Sequence, residues 1–143
     1  MRARSLFIAA ILFLSLAAFA QKPASSIAGA WEGDSICTVR DSPCHDEHVI
    51  YEISRDSAAH SDSNRLGEWQ IGAYKIVNGK KDFMGTLPCF YEEQKQTLRC
   101  ITKARTEGDW EFIFDGETFR GTLKVGPDKT LFRKISAKRI SKS

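Results

Sequence analysis

The feature that most constrains this chain is a period of two in its apolar residues, repeated in short segments between turn signals. Val49, Tyr51 and Ile53 alternate with His48, Ile50 and Glu52, and Trp69, Ile71 and Ala73 with Glu68, Gln70 and Gly72. Trp110, Phe112 and Phe114 alternate with Glu111 and Asp115, and Phe119, Leu123 and Val125 with Thr118, Arg120, Thr122 and Lys124. Successive side chains of a strand point to opposite faces, so this period means one buried and one wet face per strand. That is the pattern of an antiparallel sheet. About eight such segments are present, near 29–39, 48–55, 66–73, 84–92, 96–103, 109–114, 118–125 and 130–140.

The links fix the order of pairing. Glu93-Gln94-Lys95, Asp115-Gly116 and Gly126-Pro127-Asp128-Lys129 are short turns. Consecutive hairpins make an up-and-down meander. The stretch 56–64 is polar and loop-like, and 75–83, with Asn78-Gly79, reads as a strand end, a short helix or a lid. A meander of eight strands leaves two open edges unless it closes, so the expected fold is all-β, an antiparallel barrel. At eight strands the interior is filled by side chains or holds one small ligand.

The chain has 143 residues, enough for one domain. Arg2 and Arg4 precede an apolar run from Leu6 to Phe19, broken only by Ser15, and then Ala18-Phe19-Ala20. This is the three-part layout of a secretory signal cleaved after Ala20. The run is shorter than the roughly 20 residues that span a bilayer, and no other stretch is long and apolar enough. The expected organisation is signal 1–20, a lead-in 21–26 and a single barrel domain 27–143, secreted or periplasmic. Of 21 basic and 18 acidic residues the signal holds two basic ones, so the mature chain carries 19 minus 18, or +1. A charge so close to zero argues against nucleic-acid binding. A basic C-terminal end remains, Arg133, Lys134, Lys138, Arg139 and Lys142, and reads as a solvated face or a docking site for an acidic partner or lipid head groups.

Cys37, Cys44, Cys89 and Cys100 make an even count, which in an exported chain reads as two disulfides. Of three connectivities the strand pattern favours the local pairs Cys37–Cys44 and Cys89–Cys100. The spacings match no common zinc motif.

Two features carry a family resemblance. Gly29-Ala30-Trp31 is a Gly-x-Trp opening the first strand, and Arg133 lies in the last strand between Leu131 and Ile135. In these the chain resembles the calycins, which include lipocalins, fatty-acid-binding proteins and avidins, and is similar to small exported bacterial barrels. The resemblance implies a calycin-like barrel in which Trp31 closes one end and a last-strand arginine packs across it, Arg133 or, second, Arg139. Both roles are structural.

Three sets of residues are candidates for function. Cys44-His45-Asp46-Glu47-His48 is the densest chemical cluster, and His45 and His48, with His60 third, are the candidate metal ligands. Their three-residue spacing joins two rings on a helix but not on a strand, and the plainer alternative is a solvated polar loop. Trp69, Tyr51, Phe112 and Phe114 are the candidate ligand-binding residues, since such rings line an apolar pocket or fill the barrel. No Gly-x-Ser-x-Gly elbow exists, and the adjacent carboxylates Asp46-Glu47 and Glu92-Glu93 read as surface charge. The expected function is therefore non-catalytic binding, of a small apolar ligand in the barrel or a protein partner at its surface, with no cofactor. A metal-dependent protein using the His45/His48 loop and an envelope-associated protein docking through the basic end are the alternatives.

Overall fold

A computed structural model describes residues 26–56, 67–102 and 107–142. The segment expected to be an export signal, nearly all of the expected lead-in, most of the 56–64 loop and His60 lie outside the described residues. The fold is all-β. Its strands are β1 (Gly29–Cys37), β2 (Glu47–Arg55), β3 (Trp69–Val77), β4 (Lys80–Glu92), β5 (Thr97–Thr102), β6 (Gly108–Asp115), β7 (Thr118–Val125) and β8 (Thr130–Lys142). Each pairs antiparallel with the next, and β1 with β8, so the meander closes into a barrel.

The alternation decides which side chains go inside. Trp31 and Ser35 of β1, Val49, Tyr51 and Ile53 of β2, Trp69 and Ile71 of β3, and Phe112 and Phe114 of β6 are all buried. Phe119 packs against Trp31, Tyr51, Phe112 and Phe114 at centroid distances of 5.3 to 5.9 Å. These rings fill one half of the barrel with tilted and edge-to-face contacts, the geometry their quadrupoles favour.

Over 75–83, where the alternation is missing, the structure matches the strand-end reading. Residues 75–83 are neither helix nor lid. They continue β3 and begin β4, joined by the two-residue turn Asn78-Gly79. Both turn residues have positive φ, 51° and 74°, which Asn and Gly tolerate and which matches the strand twist. A β-bulge at Ala73/Tyr74 bends this hairpin. Lys80, Lys81 and Asp82 are all exposed, so no apolar period marks the strand.

Both disulfides form as the strand pattern favours, Cys37–Cys44 and Cys89–Cys100. Cys89 and Cys100 face each other across β4 and β5 in the core. Cys37–Cys44 ties the end of β1 to the loop before β2. No helix among the described residues is long and apolar enough to cross a membrane.

Candidate functional site

The two ends of the barrel differ. At one, Trp31 is wholly buried and its indole Nε1 donates to Ile27 O at 3.1 Å. The guanidinium of Arg139 lies over the Trp31 ring, 4.1 Å from its centroid. Arg139 Nη1 donates to Ala28 O at 2.6 Å and Nη2 to Ser26 O at 2.8 Å. Its Nε sits 2.9 Å from Glu117 Oε2 as an ion pair without hydrogen-bond alignment. Cation–π contact, two backbone acceptors and the Glu117 ion pair together seal this end. The arginine across Trp31 is thus Arg139, the second of the two sequence candidates, and Arg133 stands elsewhere. The physical reason is register. β1 and β8 run antiparallel, so Trp31 at the start of β1 meets Arg139 near the end of β8.

Arg133 marks the opposite end, where Cys37 at the finish of β1 lies in register with it. There the barrel opens into a cup of about 270 Å³ lined by Ser35, Glu47, Tyr51, Ala73, Met84, Gly85, Leu87, Trp110, Leu123 and Arg133. Its polar groups cluster on β1, β2 and β8. Arg133 Nη1 lies within 3.2 to 3.3 Å of Ser35 O, Ser35 Oγ, His45 O and Glu47 Oε2. The two charged side chains are only 12% and 15% exposed, so this ion pair is largely desolvated. Burial pushes the Tyr51 phenol far above its ordinary value, opposed by the Arg133 charge and a hydrogen bond with Ser35. Tyr51 is therefore a neutral hydroxyl at any physiological pH. The rest of the wall is apolar.

Of the ring residues read as ligand-binding, Tyr51 lines this cup. Trp69, Phe112 and Phe114 do not: they pack in the core, Trp69 against Tyr91 and the other two around Phe119. Glu47, expected as surface charge, is instead part of the cup. The signal was present, because Glu47 shares its strand face with Val49 and Tyr51.

His45 and His48 are separated by the strand boundary. His45 is in the loop, its Nδ1 3.3 Å from Pro43 O and its Nε2 3.8 Å from Glu47. His48 stands on the outer face of β2, with Nδ1 3.0 Å from Asp34 Oδ1 and Nε2 3.0 Å from Glu32 Oε1. Asp46, the third group of that cluster, accepts from the Cys37 backbone N–H at 2.9 Å. Among the described residues no group of three or more His, Cys, Asp or Glu side chains is arranged to hold a metal ion.

The arrangement around His48 has a consequence for pH. Its hydrogen bonds to Asp34 and Glu32 raise its pKa above the ordinary 6.5. A folded value above the unfolded one means the contribution to stability is complete below about pH 6.5 and fades as pH rises through the folded value. The ring is half exposed, so the effect is at most about 1 kcal/mol. Following the His48 ring protons by NMR should give a midpoint above that of an unstructured histidine. His48→Gln should flatten the pH dependence of unfolding over that window, and an unchanged profile would show that the two carboxylates do not hold the ring.

Fold and site together define a closed eight-stranded antiparallel barrel, consistent with the calycin-like fold, sealed at one end and hollowed at the other. Comparison with protein families, with characterised proteins and with solved structures finds no match to this chain.

Proposed function

We propose that the protein is an exported, lipocalin-like, non-catalytic binder that holds one small, uncharged, mostly apolar molecule in the cup at the Arg133 end. The observation that carries this reading is a one-ended hollow with apolar walls and a self-neutralised polar edge. At about 270 Å³ the cup is near the lower bound of ligand pockets, roughly 300 Å³, so the ligand is small. Arg133 is already matched by Glu47, so a charged ligand would leave one buried charge uncompensated, which is strongly unfavourable. A hydroxyl or carbonyl on the ligand is satisfied by Tyr51 and Ser35 without that cost. Two disulfides fit an oxidising compartment, in accord with the export signal read from residues 1–20.

The test is thermal stabilisation by neutral probes, with indole and 1-octanol as the first two. A ligand at about 100 times its Kd stabilises a fold by roughly 2.7 kcal/mol. Wild type should gain melting temperature with at least one probe. Ala73→Phe, which fills the cup from β3, should gain none. Equal gains in both proteins would place the binding outside the cup.

A further inference from the structure

The period of two divides the basic C-terminal end into two sets. Arg133 and Arg139 turn inward and are consumed at the two barrel ends, and Lys142 lies 3.7 Å from Glu117. Lys134 and Lys138 turn outward and are exposed. There they meet Arg120 and Lys124 of β7, also exposed. None of these four cations has an ion-pair partner among the described residues.

Their register is regular. Lys138 stands opposite Thr118, Arg120 opposite Ser136, and Lys134 opposite Thr122. Each rung therefore pairs one cation with one hydroxyl, and the cation changes strand at every rung. Beyond a bulge, Lys124 adds a fourth cation, opposite Leu131 rather than a hydroxyl. Outward residues on one strand are about 6.8 Å apart and neighbouring strands about 4.8 Å, so the stripe is long and only two strands wide. Its Lys138 end opens onto a shallow outer depression of about 700 Å³ that takes in Thr118, Arg120, Ser136 and Lys138, with Ile113 in its wall.

The strands on either side carry acids, most of them bound to other cations. On β6, Glu111 holds Arg99 at 3.0 Å and Asp109 holds Lys129 at 2.9 Å. On β1, Glu32 and Asp34 both hold His48. Glu32, Asp34, His48 and Asp115 also line the depression, with Glu32 in register with Lys138 and Asp34 with Ser136. A broad anionic surface laid on this face would press on these flanking carboxylates. A single slender chain lying along the three rungs of β7 and β8 would meet cations and hydroxyls there, with Leu131 and Phe132 beside Lys124 beyond them.

We infer that the outer face of β7 and β8 binds one chain of an acidic polysaccharide. The hydroxyls of Thr122 and Ser136 make no hydrogen bond among the described residues, and that of Thr118 donates to Asp115 O at 3.1 Å and can still accept. Such groups both donate and accept, which suits a sugar bearing hydroxyls as well as carboxylates. A polyphosphate offers acceptors alone. Single-stranded nucleic acid is held by aromatic stacking as well as by cations, and no aromatic side chain stands in the three cation–hydroxyl rungs, Phe132 lying at the bulge beyond them. The face lies outside the barrel wall and is independent of the cup.

The probe is polygalacturonate, with affinity measured at low and moderate salt. For four contacts to a single-stranded polyanion, binding should weaken about 50-fold between about 50 and 200 mM salt. The variant Arg120→Gln, Lys124→Gln, Lys134→Gln, Lys138→Gln should bind about 100-fold more weakly, with most of the salt dependence gone. All four positions are exposed, so the fold should survive, as circular dichroism will report. A matched variant, Lys75→Gln, Lys80→Gln, Lys81→Gln, Lys95→Gln, removes the same charge elsewhere and should stay within about threefold of wild type. Absence of polygalacturonate binding, or equal loss in both variants, would overturn the inference. So would tighter binding of polyphosphate, oligothymidylate or phosphatidylglycerol vesicles.

Discussion

Trp31→Ala is expected to cost about 3–5 kcal/mol of folding stability, the range for truncating a fully buried large aromatic. The indole is wholly inside the barrel, 5.1 Å from Phe114 and 5.4 Å from Phe119 by ring centroid. Its loss leaves a cavity at the sealed end and strips Arg139 of the ring it lies on. It also removes the donor to Ile27 O, so the segment before β1 loses an anchor. Urea unfolding should show a large drop in midpoint with little change in slope. Trp31→Phe should lose clearly less, because most of the volume remains. A loss below about 1 kcal/mol for the alanine variant would mean that the sealed end does not bear the core.

Gly33→Ala is expected to be nearly as damaging, about 3 kcal/mol, at the upper end of the overpacking range. Gly33 lies in register with Ala137 across the seam that closes the barrel. A Cβ there would overlap the Ser136 carbonyl oxygen and crowd the Ala137 Cα at 2.6 Å. Both are backbone atoms, so no side chain can swing aside. The seam between β1 and β8 must spread instead. Amide hydrogen exchange should accelerate first along these two strands, ahead of the β5–β6 pairing. A variant as stable as wild type would mean that β1 and β8 are not joined at this register.

Much of this architecture was legible in the residues because strands with one wet face advertise themselves. Val49-Tyr51-Ile53 and Trp110-Phe112-Phe114 fixed both the strands and their inward faces. The hairpin at 75–83 escaped because Lys80-Lys81-Asp82 is wet on both sides, leaving only Asn78-Gly79 as a signal. The two last-strand arginines share one face with Ile135 and Ala137, so parity alone could not choose between them. The antiparallel register of β1 on β8 does choose, and that pairing follows from closure. The cup was harder to see. Its polar edge draws single residues from β1, β2 and β8, namely Ser35, Glu47 and Arg133, and no local pattern joins them. The outer stripe is hidden for the same reason: along the chain the basic end is one cluster, and only the alternation of β8 turns Lys134 and Lys138 outward and Arg133 and Arg139 inward.

Mass spectrometry of the protein purified from cells that express the full chain, under native and then denaturing conditions, tests the central claim most directly. The account predicts a native mass exceeding the denatured one by a single small organic molecule, with the excess absent from Ala73→Phe. Equal masses in wild type, or an excess that persists when the cup is filled, would contradict it.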